Sequence, residues 1–196
     1  MRFLKENTES IVKLFINQIG IAIFSMFMIL AAYAIGNKSG NAAAISIFIS
    51  IFSMIFYYVL IYNVAWEIGA KDKIRIDGGR LEKKTSKGIL LGIYANIPNI
   101  IVIGTAILLF VIYMLGGGEW LKSCFAVLNF IFRFFVSMYL GLIQGITSGI
   151  ANENVSYLVQ SILFLVFSLI SSVVIHISYI LGLRDFRFFP NQKLTK

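Results

Sequence analysis

Six amide and imidazole side chains, spread over four separate apolar segments, are the residues whose types and positions could bind a ligand. They are Asn17, Gln18, Asn63, Asn96, Asn99 and His176. If the segments are helices of one membrane bundle, these side chains fall at a similar depth, about two turns from one membrane face. Polar groups in lipid must be paired. The set therefore predicts either interhelical hydrogen bonds that hold the bundle together, or a polar vestibule for an anionic headgroup or a small ligand.

The sequence lacks the residue patterns that hydrolysis, metal catalysis or proton-coupled transport would need. No Asp or Glu lies inside the four strongest apolar segments, although proton relays and intramembrane hydrolysis commonly use an embedded carboxylate. No HExxH, paired-aspartate, Ser–Lys or Ser–His signature stands out. One histidine and one cysteine, Cys124, exclude an internal disulfide and disfavour a protein-ligated metal site. The sequence thus favours a protein that is not an enzyme and has neither a metal nor another cofactor.

The longest polar run between apolar segments, residues 67–86, is strongly basic. Together with the next lysine it carries seven cations, namely Lys71, Lys73, Arg75, Arg80, Lys83, Lys84 and Lys87. Lys and Arg collect on the cytoplasmic side of membrane proteins and attract anionic headgroups. We therefore expect a cytoplasmic loop that contacts headgroups or a partner protein, with Asp72, Asp77 and Glu82 in solvated salt bridges. Alternation before Asp77 and Gly78 also predicts a short β-hairpin within this loop.

Composition identifies the class as a polytopic helical membrane protein. The 196 residues are 59% hydrophobic and 13% charged, with a mean hydropathy of +0.87, whereas soluble proteins average about 25% charged residues. Apolar segments long enough to cross the roughly 30 Å hydrocarbon layer as helices recur at 11–35, 42–66, 87–115 and 155–183. They lack the two-residue alternation of a β-barrel. The net charge of +8 fits cytoplasmic lysines and arginines facing anionic lipid better than it fits binding to nucleic acid.

Residues 120–150 are the apolar segment whose path is ambiguous. They are long enough to span, but they contain Lys122 and Arg133, and a cation in mid-span is costly unless it faces a polar cavity. Four cations follow the last span, Arg184, Arg187, Lys193 and Lys196. With four crossings this tail shares the cytoplasmic side with the N-terminus and the basic loop, whereas with five it lies outside. The positive-inside bias favours four crossings and an amphipathic or re-entrant segment in the outer leaflet; a plain fifth span is the alternative.

Polar and small residues recur every four positions along 120–150 and so form one stripe on a helix. The polar members are Asn129, Arg133 and Ser137, and the small members are Gly141, Gly145 and Gly149. A GxxxG run lets another helix approach closely. The stripe therefore predicts either packing against the rest of the bundle or self-association of the protein through the three glycines.

Three short motifs occur near the ends of the predicted spans. They are Tyr62-Asn63-x-x-Trp66-x-x-Gly69-x-Lys71-Asp72, then Lys87-Gly88 followed by Pro98, and finally Tyr179-Ile180-Leu181-Gly182. In these motifs, and in its Ile-, Lys- and Asn-rich composition, the chain resembles uncharacterised multi-pass membrane proteins of low-GC Gram-positive bacteria. The resemblance implies a bacterial plasma-membrane location and carries no assigned chemistry.

Together these patterns predict an all-α bundle of four transmembrane helices, with both termini in the cytoplasm and a further helical segment in the outer leaflet. The favoured function is that of a transport-complex subunit or membrane scaffold that docks through its basic loop. The alternative is a carrier of a small ligand or lipid that uses the polar vestibule. An intramembrane enzyme acting on lipid headgroups is the least supported function.

Overall fold

The computed structural model describes residues 2–187, so the predicted tail cations Lys193 and Lys196 lie outside the described residues. The chain is 86% helical, without a strand in its described part, which confirms the predicted all-α class. Its elements are α1 (Arg2–Ser39), α2 (Ala42–Asp77), α3 (Lys87–Met114), α4 (Glu119–Phe135), a short 3-10 helix (Ser137–Tyr139), α5 (Leu140–Thr147) and α6 (Glu153–Leu183).

Helices α1, α2, α3 and α6 are long and apolar enough to cross a membrane, and they overlap the four predicted spans. Helix α2 is longer than predicted, because it continues through half of the predicted loop to Asp77. The predicted hairpin is therefore wrong, since residues 73–76 continue the helix. The helix ends at Gly78, and Gly79 then adopts a φ of +66°, a conformation that glycine reaches without steric cost.

Pairs of contacts define the directions of the spanning helices. Near its start, α1 meets the end of α2 through Lys13 and Glu67, whose Nζ and Oε2 atoms are 3.3 Å apart. Helices α3 and α6 meet at Gly88 and Tyr179, and again where Phe110 packs on a second tyrosine of α6. Each of these pairs is therefore antiparallel, and all four helices alternate in direction along the bundle.

The alternation places residues 78–86 and 184–187 at one end of the bundle, together with the start of α1. We call this the basic end, because the cations of the former loop are gathered there. Residues 115–118 and 148–152 lie at the other end, which we call the opposite end. Both termini of the described chain thus lie at the basic end.

Helix α4 and the 3-10 helix with α5 form a pair whose axes differ by 79° across the break between them. Helix α4 begins at the opposite end, where Phe125 packs on Phe110 at a ring-centroid distance of 5.1 Å. It descends to the middle of the bundle, where the Ser137 hydroxyl donates to the Ala22 carbonyl at 2.6 Å. The break at Val136 therefore lies deep in the bundle.

Helix α5 then returns towards the end from which α4 came. The Tyr33 hydroxyl, close to the end of α1, donates to Gln144 Oε1 at 2.6 Å, and Gly141 packs on Ser46 near the start of α2. The pair enters and leaves at the opposite end and is thus re-entrant. By length and composition, the described chain has four helices that could cross a membrane, or five if this bent pair is one span; the contacts above return the pair to the end from which it starts.

Close helix contacts hold the bundle together at its basic end and in its middle. A Cβ added to Gly88 would lie 2.8 Å from the Tyr179 Cβ, and one added to Gly92 would lie 2.7 Å from the Ser172 Cα. Gly88 and Gly92 thus form a GxxxG run whose lack of side chains lets α3 approach α6 closely. Large apolar side chains cover the outside of the bundle; Phe27 is 69% exposed, as expected for a surface that faces lipid.

Candidate functional site

Asp72, Lys87 and Tyr179 meet where α2, α3 and α6 come together at the basic end. The Lys87 Nζ lies 2.7 Å from Asp72 Oδ2, and the Tyr179 hydroxyl donates to the same oxygen at 2.9 Å. The side chain of Asp72 is 3% exposed and that of Lys87 is 16% exposed. A buried carboxylate needs such partners, because an unpaired charge away from water is very costly. One carboxylate therefore ties three helices together, and we call the three residues the ionic node.

Two glycines bring α2 and α6 close enough for the ionic node to form. Gly69 precedes Asp72 by about one turn, and Gly182 follows Tyr179 by about one turn. A Cβ on Gly69 would collide with the Tyr179 carbonyl, and one on Gly182 would collide with the Trp66 carbonyl. The two backbones can approach only because both positions lack a side chain.

A cavity of about 730 Å³ opens beside the ionic node, and we call it the basic cavity. Its charged lining residues are Glu6, Arg75, Arg80, Glu82, Lys84 and Lys87, and the others are Phe3, Asn7, Leu81, Ser86, Leu90 and Tyr179. Four cations against two carboxylates give the walls an excess of positive charge, which attracts anions. No group of three or more His, Cys, Asp or Glu side chains that could hold a metal ion occurs in residues 2–187.

The chain after α6 folds back onto α2 at the same end. The Trp66 indole Nε1 donates to the Phe186 carbonyl at 2.7 Å, and the Arg187 guanidinium lies 3.7 Å from the centre of the Trp66 ring. Lys73 Nζ is also 3.9 Å from a carboxylate oxygen of Asp185. These contacts hold the last described residues beside α2 and add a further cation to the basic end.

The seven predicted contact cations divide into two sets. Arg75, Arg80, Lys84 and Lys87 line the basic cavity, whereas Lys71, Lys73 and Lys83 do not. Lys71 instead pairs with Glu67 on its own helix at 2.8 Å. The sequence grouped all seven in one loop, and the structure separates the four that face a common cavity from the three that lie outside it.

Two of the six predicted polar residues form hydrogen bonds between α3 and α6. The Asn96 Nδ2 lies 2.9 Å from Ser171 Oγ and 3.0 Å from Ser172 Oγ, and the Asn99 amide donates to Asn96 Oδ1 at 3.2 Å. Both asparagines are buried. They lie two to three turns below the ionic node, on the helix that Pro98 interrupts.

The other four predicted polar residues do not join them. Gln18 is buried within α1, Asn17 and His176 are partly buried, and Asn63 is exposed. Within residues 2–187 none of the four makes a hydrogen bond to Asn96 or Asn99, and His176 Nδ1 has no partner. None of the six residues lines the basic cavity. Their role as a ligand site stays a prediction.

The predicted polar stripe of 120–150 faces the inside of the protein. Ser137 is buried against α1 through its bond to Ala22, and the Arg133 guanidinium donates to Gln160 Oε1 on α6 at 2.9 Å. Asn129 is partly buried, and its Oδ1 has no partner among the described residues.

The small members of the stripe differ from one another in their surroundings. Gly141 is packed on the Ser46 backbone, Gly145 lies against the Ile47 side chain, and Gly149 has open space where a side chain would be. Self-association through these glycines stays a prediction.

The residues of the ionic node were missed in the search for polar side chains, because Asp72 was assigned to a loop. The prediction that Asp72 lies in a solvated salt bridge is wrong, since its side chain is buried among three helices. A signal was nevertheless present in the sequence. Asp72, Lys87 and Tyr179 occur in the three quoted motifs, together with Gly69 and Gly182, and the fold brings all five to one place.

No family model, curated protein or solved structure matches this chain. The function therefore has to be inferred from the residues of the chain itself.

Proposed function

We propose that this protein is an integral protein of the bacterial plasma membrane, not an enzyme, which acts as a transport-complex subunit or scaffold and binds an anionic phosphate headgroup in its basic cavity. The fold supports the membrane location, because four of its helices are long and apolar enough to span. The basic end would face the cytoplasm, with both termini, because Lys and Arg are enriched on that side.

The basic cavity is the observation that carries this proposal. It combines four cations with apolar side chains, of which Phe3, Leu81 and Leu90 are three. A phosphate headgroup would be attracted by the cations, and the first methylene groups of its acyl chains would contact the apolar side chains. The cytoplasmic leaflet supplies such lipids, and each Lys or Arg near it contributes about 1 kcal/mol of attraction.

The binding test compares two triple variants with the same loss of charge. The first, Arg75→Gln/Arg80→Gln/Lys84→Gln, removes cations that line the basic cavity; the second, Lys71→Gln/Lys73→Gln/Lys83→Gln, removes cations outside it. Short-chain phosphatidylglycerol should raise the unfolding temperature of the purified wild-type protein and of the second variant clearly more than that of the first. Phosphatidylcholine, which has no net charge, should shift none of them. Equal responses of the two variants to phosphatidylglycerol would mean that only net charge matters, and would refute a site in the cavity.

The orientation test uses single cysteines at the two ends in a Cys124→Ser background. Lys83→Cys lies at the basic end and Ser148→Cys lies at the opposite end, and both positions are exposed. A maleimide that cannot cross the membrane should label Ser148→Cys in intact cells, and Lys83→Cys only after the cells are permeabilised. The reverse pattern would place the basic end outside and refute the proposed orientation.

A lipid carrier is the second candidate, and the mixed polar and apolar lining of the basic cavity is the observation in its favour. A carrier should move fluorescent phosphatidylglycerol between the leaflets of proteoliposomes faster than in protein-free vesicles. The variant Arg75→Gln/Arg80→Gln/Lys84→Gln should abolish that acceleration. A scaffold or subunit should bind the lipid without moving it, so an unaccelerated rate with intact binding excludes the carrier.

Docking of a cytoplasmic or membrane protein on the same cations completes the scaffold proposal. Charge reversal at Arg80, Lys83 and Lys84, which are all exposed, should abolish co-purification of such a partner while membrane insertion is retained. The same charge reversal at Lys122, an exposed lysine of α4, is the control and should leave co-purification intact. Unchanged co-purification after the triple reversal would count against docking at the basic end.

A further inference from the structure

Arg133 is a cation inside the bundle that has no ion pair. It lies in the last turn of α4, close to the break of the re-entrant pair. One guanidinium nitrogen donates to Gln160 Oε1 at 2.9 Å, which is a neutral amide. The Nε atom is buried and donates to no acceptor in residues 2–187. Arg133 as a whole is partly buried, so the fold shields a permanent positive charge from much of the solvent and satisfies only part of its donor capacity.

No carboxylate of the described chain compensates this charge, because none of its ion pairs includes Arg133. The titratable groups that act on Arg133 electrostatically are the phenols of Tyr157 and Tyr33. A cation in the membrane interior is strongly unfavourable unless it meets an opposite charge or water. Arginine also keeps its proton in proteins, so loss of charge does not relieve the burial.

Two further unpaired polar atoms belong to the immediate surroundings of Arg133. Asn129 lies one turn earlier on α4, and Tyr157 lies one turn before Gln160 on α6. The Asn129 Oδ1 and the Tyr157 hydroxyl are buried without a partner among the described residues. Three unpaired polar atoms on two facing helices are unusual, because most buried polar side-chain atoms in proteins have a partner.

These atoms match the chemistry of one group. A phosphate oxygen accepts from the Nε of Arg133 and from the Tyr157 hydroxyl, and a hydroxyl on the same molecule donates to Asn129 Oδ1. Arginine is well suited to this role because its planar guanidinium fits phosphate geometry. The site is near the opposite end, since Gln160 lies about 10 Å along α6 from the start of that helix.

We propose that Arg133, Asn129 and Tyr157, with Gln160 holding the guanidinium in place, form a second anion site, in the half of the bundle towards the opposite end, for a phosphate group that carries a hydroxyl. Dihydrogen phosphate and the glycerol-phosphate headgroup of an anionic lipid share this chemistry. The site is independent of the basic cavity, which lies at the other end and is lined by other residues.

The test uses the full-length protein carrying Arg75→Gln, Arg80→Gln and Lys84→Gln, so that the basic cavity does not contribute. Unfolding temperatures are measured against inorganic phosphate, short-chain phosphatidylglycerol and short-chain phosphatidylcholine. Arg133→Gln should raise the probe concentration needed for half of the shift by at least about tenfold, since a hydrogen bond to a charged group changes affinity by at least that factor. Lys122→Gln, which removes an exposed cation from the same helix, should leave that concentration unchanged.

If phosphate raises the unfolding temperature, the ligand is a soluble anion. If phosphatidylglycerol raises it and phosphate does not, the ligand is a lipid headgroup. Equal responses of Arg133→Gln and Lys122→Gln, or no response of the parent protein to either anionic probe, overturn the proposal. If Arg133→Gln does not fold, Tyr157→Phe decides the matter, because it removes only the hydroxyl. It should weaken the response severalfold, and an unchanged response overturns the proposal.

Discussion

Asp72 and Arg133 are both charged side chains inside the bundle, but the two ends treat their charges differently. At the basic end, the Asp72 carboxylate is bound by the Lys87 ammonium and the Tyr179 hydroxyl. At the opposite end, the Arg133 guanidinium meets the neutral amide of Gln160 and keeps an unpaired Nε. The first charge is compensated within the chain, whereas the second has no ion pair among the described residues.

The difference shows that a buried charge can serve two purposes. The ionic node joins α2 and α6, which approach each other at Gly69 and Gly182, to α3, which approaches α6 at Gly88. Its charges therefore act within the fold. The re-entrant pair carries Arg133 into the bundle without bringing a carboxylate to it. Substitutions at the two charges should therefore change stability in opposite directions if Arg133 serves a ligand, as proposed above.

The ionic node should show the largest effect. Lys87→Met should lower the free energy of unfolding by about 3 kcal/mol, because it leaves the buried Asp72 carboxylate without its counter-charge. The double variant Asp72→Asn/Lys87→Met should recover much of that loss, since no isolated charge then remains. Unfolding by a denaturing detergent measures both values. Additive losses in the double variant would show that the two side chains act independently. Asp72 would then not be compensated by Lys87.

A side chain added where α2 and α6 approach each other at the ionic node should have the second largest effect on stability. Gly69→Ala should cost about 2 kcal/mol of stability, because overpacking forces two helix backbones apart. Gly104→Ala is the matched control, since nothing lies within 4 Å of the added Cβ; it should gain up to about 1 kcal/mol from helix propensity. The same detergent titration measures both variants. A tolerated Gly69→Ala would mean that the helices do not pack as closely as the contacts indicate.

Removal of the Arg133 charge should change the free energy of unfolding in the opposite direction to removal of the Lys87 charge. In protein freed of phosphate and anionic lipid, Arg133→Met should raise the free energy of unfolding by about 1 kcal/mol, because it removes a buried cation that lacks a counter-charge. The increase should disappear when phosphate or phosphatidylglycerol is added. A loss of stability under anion-free conditions would show that Arg133 is compensated within the chain, and the two ends would then be alike.

The exposed pairs of the basic end should show the smallest effect. Glu67 meets Lys71 and Lys13, and all three side chains are about half exposed or more. Glu67→Gln should therefore cost roughly 0.5 kcal/mol at low salt, and less in 0.5–1 M salt, which screens exposed charges. Titrations at the two salt concentrations measure this difference. A cost as large as that of Lys87→Met would mean that burial does not distinguish the two kinds of ion pair.

The helices were predictable because their signal is local. Apolar segments of more than 20 residues identify four spans, and each overlaps one of the long helices, although α1 begins nine residues before the predicted start at residue 11. The end of α2 was not predictable in this way, because residues 67–77 are polar and were read as loop. Their helical path is supported by contacts with α6, such as that of Gly69 with Tyr179, and a tertiary contact can override a local preference.

The sites were predictable only in part. The sequence identified the basic residues, which gather at the basic end. It also identified the polar stripe, which lies on α4 and on the short helices that follow it. It could not separate Arg75 and Arg80, which line the basic cavity, from Lys71, which does not. That separation depends on which side of α2, and of the loop after it, faces the start of α1, and this is a property of the packing of distant segments.

The amino-acid sequence by itself determined that the chain is a helical membrane protein with a basic end, because hydrophobicity and charge act over short stretches of chain. Only the tertiary structure decided that Asp72 is buried in an ion pair, while Arg133 is partly buried without an ion pair among the described residues. Burial depends on which helices meet, and the partners of Asp72 and Arg133 lie on other helices, far along the chain. The physical reason is that desolvation and pairing of a charge are set by neighbours in space.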